Sequence, residues 1–341
     1  MWQVPEIARI IGEFGYNVDV IDYDDQSIKL SKRYHLLLDI YPQNHKVYDS
    51  NLADECIKVL YSTGSAPTWQ NAKENERLDD LWNRRQVKLP AKAYAAPFGA
   101  EIESFDAMFV IGNQHTLSTY GELPIKLCFL IKNSAYLFPD TDLAKKSPAT
   151  FLFLATYPQV LKGLDLLLEV FAQNQDLNLI VCSQFNQEKD FCAVYDKELF
   201  HSRNIVPVGP VDITGSLFKK IAELCAYVIM PSCSEGMSGS VLTAMSAGLI
   251  PIVSRECGLE DDEVYYLPQC NVSCIAETVR GFSRKQPVWL NPQALKAQQI
   301  VRLRYSPEQF SISFKKALQN VFDVKKGIDH DYFGNDNRAG K

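Results

Sequence analysis

The chain has 341 residues, 46% hydrophobic and 22% charged, with 35 basic against 41 acidic side chains and a net charge of −6. That length suits two domains of about 100–200 residues each, and the acidic balance argues against a nucleic-acid binder, which is usually basic. No run of about 18 apolar residues occurs, which argues against a membrane-spanning helix.

In chain order, "PEIARIIGEFGY" sets Ile7, Ile10, Ile11 and Phe14 at helical spacing, with Gly15 as the stop. The start, "MWQVPEIARI", carries an acid and no basic cluster, unlike a signal peptide. "NVDVIDY" (17–23), "YHLLLDI" (34–40) and "CIKVLYSTGS" (56–65) are expected as strands. A polar helix is expected from Trp69 to Arg85, then strands "AMFVIG" (107–112) and "KLCFLI" (126–131). The proline-bracketed "PDTDLAKKSP" (139–148) reads as a linker and hinge. After it the alternation restarts. Strands "TFLFLAT", "LNLIVCS", "NIVPVG" and "AYVIMPS" interleave with helices "LKGLDLLLEVFAQ" and "GSLFKKIAELC". A last helix is expected over 306–322, followed by a polar tail.

Strands separated by helices imply parallel sheets covered on both faces. The fold class is therefore α/β, with two doubly wound Rossmann-like domains, 1–145 and 146–322, and a polar tail over 323–341. Such a domain normally opens with a strand and a glycine-containing loop. This chain opens at a helix, so its first domain is expected to lack that strand.

Ligands of doubly wound sheets bind beyond the carboxyl ends of the strands. In the first domain this picks out Ser62–Ser65 and Gly112–His115, and in the second Thr156–Gly163, Gly209–Val211 and Ser232–Ser240. "PSCSEGMSGSVLTAMSAG" (231–248) places Glu235 among small residues at the mouth of a helix closed by Gly248. A helix N-terminus with almost no side chains invites a phosphate or diphosphate. Glu235 then either accepts hydrogen bonds from ligand hydroxyls or caps the helix, and residue types alone leave both open. Lys162, at the start of a helix, opposes the helix dipole, a cost that an acidic ligand would offset.

Pro-Ser, two residues, Glu-Gly, then a helix ending Ala244-Met245-Ser246-Ala247-Gly248 resembles the donor-sugar loop of GT-B glycosyltransferases. More narrowly, it resembles the retaining group called glycosyltransferase family 4, or group 1. "FLATYPQVLKGLDLLLEVF" resembles that family's Lys-Gly motif, and "VPVGPVDITGSLFKKIAELCAYVIMPS" the segment between the two. The three motifs stand in the family's order over about residues 150–255.

The resemblance implies a transferase that moves a sugar from a nucleoside diphosphate donor, UDP- or GDP-linked, with the anomeric configuration retained and no cofactor or metal. It implies that Glu235 holds the sugar and that Lys162 neutralises the leaving diphosphate. Gly236, Met237, Ser238 and Gly239 would offer backbone N–H groups, with Ser234 and Ser240 beside them. Gly209, Pro210 and Val211 would meet the base, and Thr156 and Gly163 the phosphates. A histidine of the first domain often approaches the reacting carbon, and His115 is the candidate for that role.

Two positions depart from the pattern. Thr243 stands where a second glutamate usually holds the ribose, and no arginine precedes the Lys-Gly pair. A non-catalytic relative that keeps the fold as a binding or partner module is the rival reading. A nicotinamide-dependent dehydrogenase is disfavoured because GxGxxG is absent.

The acceptor is expected to be a saccharide or lipid-linked saccharide. The basic run "WNRRQVKLPAK" (82–92) could meet an anionic acceptor or a membrane surface, or be a solvated helix end. The expected location is cytoplasmic, with peripheral contact at the inner face of the membrane. The nine cysteines form no CxxC pair and read as free thiols in a reducing compartment. His35 is expected on a strand, and His45, His201 and His330 on the surface.

Overall fold

The structure is a computed structural model. It describes residues 2–327 except 24, 26, 43, 44 and 140, and only the backbone of His45 and Lys46. His330, the side chain of His45 and most of the tail lie outside the described residues.

The first domain contains α1 (Gln3–Glu13), β1 (Tyr34–Asp39), α2 (His45–Tyr48), β2 (Leu52–Ser62), α3 (Pro67–Arg85), β3 (Ala107–Ile111), α4 (Gln114–Ser118) and β4 (Leu127–Ile131). The second contains β5 (Ser147–Leu154), α5 (Gln159–Lys162), α6 (Leu164–Gln173), β6 (Asn178–Cys182), α7 (Lys189–Val194), α8 (Asp196–His201), β7 (Ile205–Pro207) and α9 (Ser216–Leu224). It continues through β8 (Cys225–Met230), α10 (Gly239–Ser246), β9 (Ile250–Val253), β10 (Tyr265–Tyr266), α11 (Val272–Ser283), α12 (Pro287–Arg304) and α13 (Pro307–Lys325).

All strand pairs are parallel. The first sheet runs β1-β2-β3-β4 and the second β10-β9-β8-β5-β6-β7. Alternate residues of the first sheet feed opposite layers, as a period of two requires. Val59, Tyr61, Phe109 and Ile111 join the main core, while Leu60, Met108 and Val110 join a cluster with Ile102 and Phe105. In the second sheet β8 is buried along its whole length, as expected of a central strand covered on both faces.

One sequence expectation needs correction. "NVDVIDY" forms no strand, and Val18, Val20, Ile21 and Tyr23 are exposed. Alternation makes a segment competent for a ladder, but a strand exists only with a hydrogen-bonded neighbour, and β1 pairs with β2 alone among the described residues.

The last helix, α13, returns to the first domain. Phe314 packs edge-on to Tyr61 and Phe109, and Phe322 packs against Phe14 and Tyr16.

The linker is not free. Thr141 Oγ1 donates to Ala247 O at 3.1 Å, and Gln298 Nε2 donates to Thr141 Oγ1 at 3.0 Å. Lys146 is buried, with Nζ donating to Ala222 O at 2.7 Å and Cys225 O at 3.1 Å. The two crossings between domains meet where Ala135 N donates to Tyr305 O at 3.0 Å, upstream of the expected hinge.

Candidate functional site

Only the second sheet reverses its winding. From β5 the chain steps outward through β6 and β7, then returns to the other side of β5 with β8 and continues through β9 and β10. That places a topological switch point between β5 and β8, where a crevice opens beyond the strand ends. The first sheet is wound in one direction only and has no such point.

A cavity of about 430 Å³ occupies this position. It is lined by Leu154, Ala155 and Thr156 beyond β5, Cys182 and Gln184 beyond β6, and Pro210, Val211 and Ile213 beyond β7. Met230, Glu235, Ser238, Gly239, Ser240 and Thr243 close the other side, with Lys162 between. Thr156, Lys162, Pro210, Val211, Glu235, Ser238, Gly239, Ser240 and Thr243 thus come together as the sequence suggested. Gly209 sits at the turn just behind, with φ +84°.

Lys162 and Glu235 are the only charged residues in this lining. Lys162 Nζ lies 2.5 Å from Glu235 Oε1, with the two side chains 15% and 13% exposed. Ser232 Oγ donates to the same oxygen at 3.1 Å. The loop bearing Glu235 is tied to α5, since Cys233 N and Ser232 Oγ both donate to Leu161 O, at 2.9 and 3.2 Å.

One of the two readings of Glu235 is excluded. The residue does not cap the helix. The N-cap of α10 is Ser238, without a side-chain cap hydrogen bond, and Leu242 N is the first to bond back to Ser238 O. The N–H groups of Gly239, Ser240 and Val241 therefore have no intrahelical partner. With Lys162, they give the cavity its positive side.

Gly163 earns its place by geometry. It has φ +82°, and a Cβ there would lie 2.5 Å from Pro231 O. Glycine alone permits both the left-handed turn and the crossing of the Pro231 loop. Gly163 therefore shapes the floor rather than lining the cavity.

Ser234, Gly236 and Met237 do not line the cavity, which corrects the expectation for these three. They face the first domain. Ser234 Oγ is hydrogen-bonded to Ser65 Oγ. A Cβ on Gly236 would collide with the carbonyls of Thr63 and Ile111. Met237 O accepts from Asn133 Nδ2 at 2.7 Å. The absence of a side chain at Gly236 admits the neighbouring domain. The strand ends of the first domain are engaged as well. Gly64 O accepts from Tyr120 OH of the same domain at 2.7 Å, and Asn113 Nδ2 donates to Leu259 O of the second domain at 2.7 Å.

His115 is likewise placed elsewhere. It lines a second hollow of about 510 Å³ with Asn113, Gln114, Arg255, Glu260, Asp261, Asp262 and Tyr266. Its Nε2 lies 3.9 Å from Glu256 Oε1, and its ring meets Trp69 edge-on.

The basic run also turns inward. Arg84 Nη2 lies 2.5 Å from Asp165 Oδ2, and Arg84 also pairs with Glu169. Arg85 pairs with Glu198 at 2.7 Å and Lys92 with Asp190 at 2.5 Å. Burial pushes the carboxyl of Asp165 above its usual range despite Arg77 and Arg84 beside it. Arg84, Arg85 and Lys92 thus join the two domains, while Lys88 of the same run is exposed, with Nζ 5.3 Å from the centre of the Trp82 ring.

Among the described residues no group of histidines, cysteines and carboxylates could hold a metal, and all nine cysteines are free. His35 and His201 are exposed. No helix among the described residues is long and apolar enough to cross a membrane. Sequence reasoning missed Gln184 and Ile213, although the strand-end rule applied to β6 and β7 reaches both.

Residues 148–283 match the family described as glycosyl transferases, group 1. No curated protein sequence matches the chain. Among solved structures, TarM is 14% identical with a TM-score of 0.58, over 84% of this chain and 54% of TarM. The chain thus spans about half the length of that relative. Sucrose-phosphate synthase from Thermosynechococcus elongatus is 14% identical with a TM-score of 0.60, over 85% of this chain and 74% of that one. Anabaena HepE, solved with UDP-glucose, is 13% identical with a TM-score of 0.58, over 84% and 79%. The chain therefore has the fold of the GT-B glycosyltransferases, and its second domain carries the group 1 glycosyl transferase match over residues 148–283.

Proposed function

We propose that the protein transfers a sugar from a UDP- or GDP-linked donor to an acceptor hydroxyl, with retention at the anomeric carbon, in polysaccharide or glycoconjugate synthesis. One observation carries this reading: the switch-point cavity pairs a single cation, Lys162, with a single carboxylate, Glu235, beside the uncapped N-terminus of α10. A diphosphate fits Lys162 and the N–H groups of Gly239 and Ser240. A sugar on that diphosphate brings hydroxyls to Glu235. The UDP-glucose bound to HepE gives the donor class further support.

In this mechanism the bond from the anomeric carbon to the diphosphate oxygen breaks, and a bond to the acceptor oxygen forms on the same face. The acceptor's proton passes to an oxygen of the leaving diphosphate. Lys162 and the helix N-terminus stabilise the charge that develops there, which is the main catalytic effect asked of the protein. The residues of the cavity meet that demand without a cofactor or metal. The acceptor is a saccharide or lipid-linked saccharide, and the setting is the cytoplasm, with peripheral contact at the membrane.

A second reading, a non-catalytic binding or partner module, is favoured by Thr243 at the ribose position and by the first domain packed onto Gly236. Calorimetric titration with UDP, GDP and ADP separates the two. One nucleotide is expected to bind, and Lys162→Ala to weaken it by about 10- to 100-fold, the worth of a charge-assisted hydrogen bond. Failure of all three to bind at millimolar concentration would reject sugar transfer in favour of the module.

A further inference from the structure

The cavity explains Lys162 and Glu235, but not what holds them in register. Both sit on short connections. Lys162 ends the four-residue helix α5, and Glu235 lies in the loop between β8 and α10. The two connections cross at Pro231, whose carbonyl and ring fill the space above Gly163.

A third element reaches this crossing from the other domain. Arg77 of α3 is 7% exposed, and its Nη1 and Nη2 both donate to Pro231 O, at 3.2 and 3.1 Å. The guanidinium also lies beside Asp165, which is fully buried and has no hydrogen bond to Oδ1. One turn earlier on α3, Glu74 is 2% exposed and accepts from Lys92 N at 2.8 Å and Ala93 N at 3.1 Å, which fixes the segment after the helix. Taking a guanidinium out of water to bond a neutral carbonyl is an expensive way to pack two helices. Its geometric effect is specific. It fixes the first peptide of the loop that ends in Glu235, directly over the turn that follows Lys162.

We propose that Arg77 is a positioning residue for sugar transfer: through Pro231 O, the first domain sets Glu235 against Lys162. The claim rests on the function proposed above. The first domain then acts on the chemistry by bracing the donor loop from behind.

The test uses the full chain with Arg77→Met and Arg77→Lys, and Arg85→Gln as a control that breaks a pair across the same seam without reaching Pro231. The readouts are thermal midpoint, hydrogen exchange of amides 232–238, affinity for UDP, GDP and ADP, and turnover of the matching sugar nucleotide. In Arg77→Met, exchange of 232–238 is expected to accelerate about tenfold relative to β8, a shift of 1.4 kcal/mol or so in local opening. Nucleotide affinity should change less than about threefold, while turnover falls by about 100-fold, the scale of an ångström misplacement. Arg77→Lys, which keeps one donor, should restore part of the turnover, and it stands in if the methionine variant does not fold. Unchanged exchange in both variants would overturn the proposal, as would an equal loss of turnover in Arg85→Gln. If the wild type binds no nucleotide, the functional reading fails by itself, and the exchange data still decide whether Arg77 sets the loop.

Discussion

Glu235→Gln should tighten nucleotide binding while slowing transfer. Lys162 Nζ and Glu235 Oε1 are 2.5 Å apart, and both side chains are largely buried. A phosphate oxygen that bonds Lys162 at about 3 Å comes within about 5 Å of the Glu235 carboxylate. At an effective dielectric constant of 20, two like charges at that separation repel by about 3 kcal/mol. Rotation of the carboxylate away from the phosphate and screening at the cavity mouth reduce this, so about 1.4 kcal/mol, or a tenfold gain in affinity, is expected on neutralising it. Glutamine keeps the shape and one acceptor, so the gain is read without a new cavity. Transfer should fall by about 100-fold, because the sugar hydroxyls lose their charged acceptor. Calorimetry with UDP and GDP in 0.15 M salt gives the affinity, and release of nucleotide from the sugar donor gives the rate. Equal or weaker nucleotide binding by Glu235→Gln would refute the placement of the diphosphate on Lys162.

Three further outcomes are expected. Gly163→Ala forces a β-carbon into a left-handed turn and to 2.5 Å from Pro231 O, so it should cost about 2 kcal/mol and lower Tm by about 5 °C; an unchanged Tm would count against the crossing described. Thr243 lines the cavity where a ribose carboxylate is missing, so Thr243→Glu should raise the preference for UDP over 2′-deoxy-UDP by about tenfold, and equal affinities in the variant would move the ribose elsewhere. Burial lowers the pKa of Lys146 to about 8 from its ordinary 10.5, so between those values the unfolded chain binds more protons and this residue's contribution to stability rises with pH, by about 3 kcal/mol in all. The stability of wild type minus Lys146→Met, by urea unfolding at pH 7 and pH 10.5, should grow by that amount, and a flat difference would show that the ammonium is not buried as charge.

The second domain was legible because its signals are local. The run from Phe151 to Leu154 must be a buried strand, Gly248 ends a helix at positive φ, and the end-of-strand rule leads to Thr156 and Glu235. Gly163 was not legible in this way: its left-handed turn breaks "LKGLDLLLEVFAQ", expected as one helix, and puts Lys162 in the last turn of α5 rather than at a helix start, so the expected conflict with the helix dipole is absent. Errors gathered where a residue's state depends on a distant neighbour. "NVDVIDY" has the alternation of a strand, yet a ladder is a property of two segments, and among the described residues its link to β1 is a side-chain hydrogen bond, from Tyr34 OH to Asp19 at 2.7 Å, rather than a backbone ladder. Arg84, Arg85 and Lys92 read as a basic face because their partners, Asp165, Glu198 and Asp190, follow some 80 to 115 residues later in the chain.

Gly236 and Gly239 show the limit most clearly. Both lack a side chain, and both lie in the segment expected to cradle a diphosphate. Absence of a side chain says that something comes close; it does not say what. Gly239 lines the cavity together with Ser238 and Ser240, and a Cβ there would meet no more than the Asn133 amide nitrogen, at 3.4 Å. At Gly236 the close neighbours are the carbonyls of Thr63 and Ile111. Carbonyl oxygens repel a phosphate that an N–H group would attract, so the first domain's approach confines the anion to the α10 side of Glu235. On the proposed placement the carboxylate lies between the diphosphate on one side and, on the other, the seam that Arg77 and Asn133 hold through Pro231 O and Met237 O.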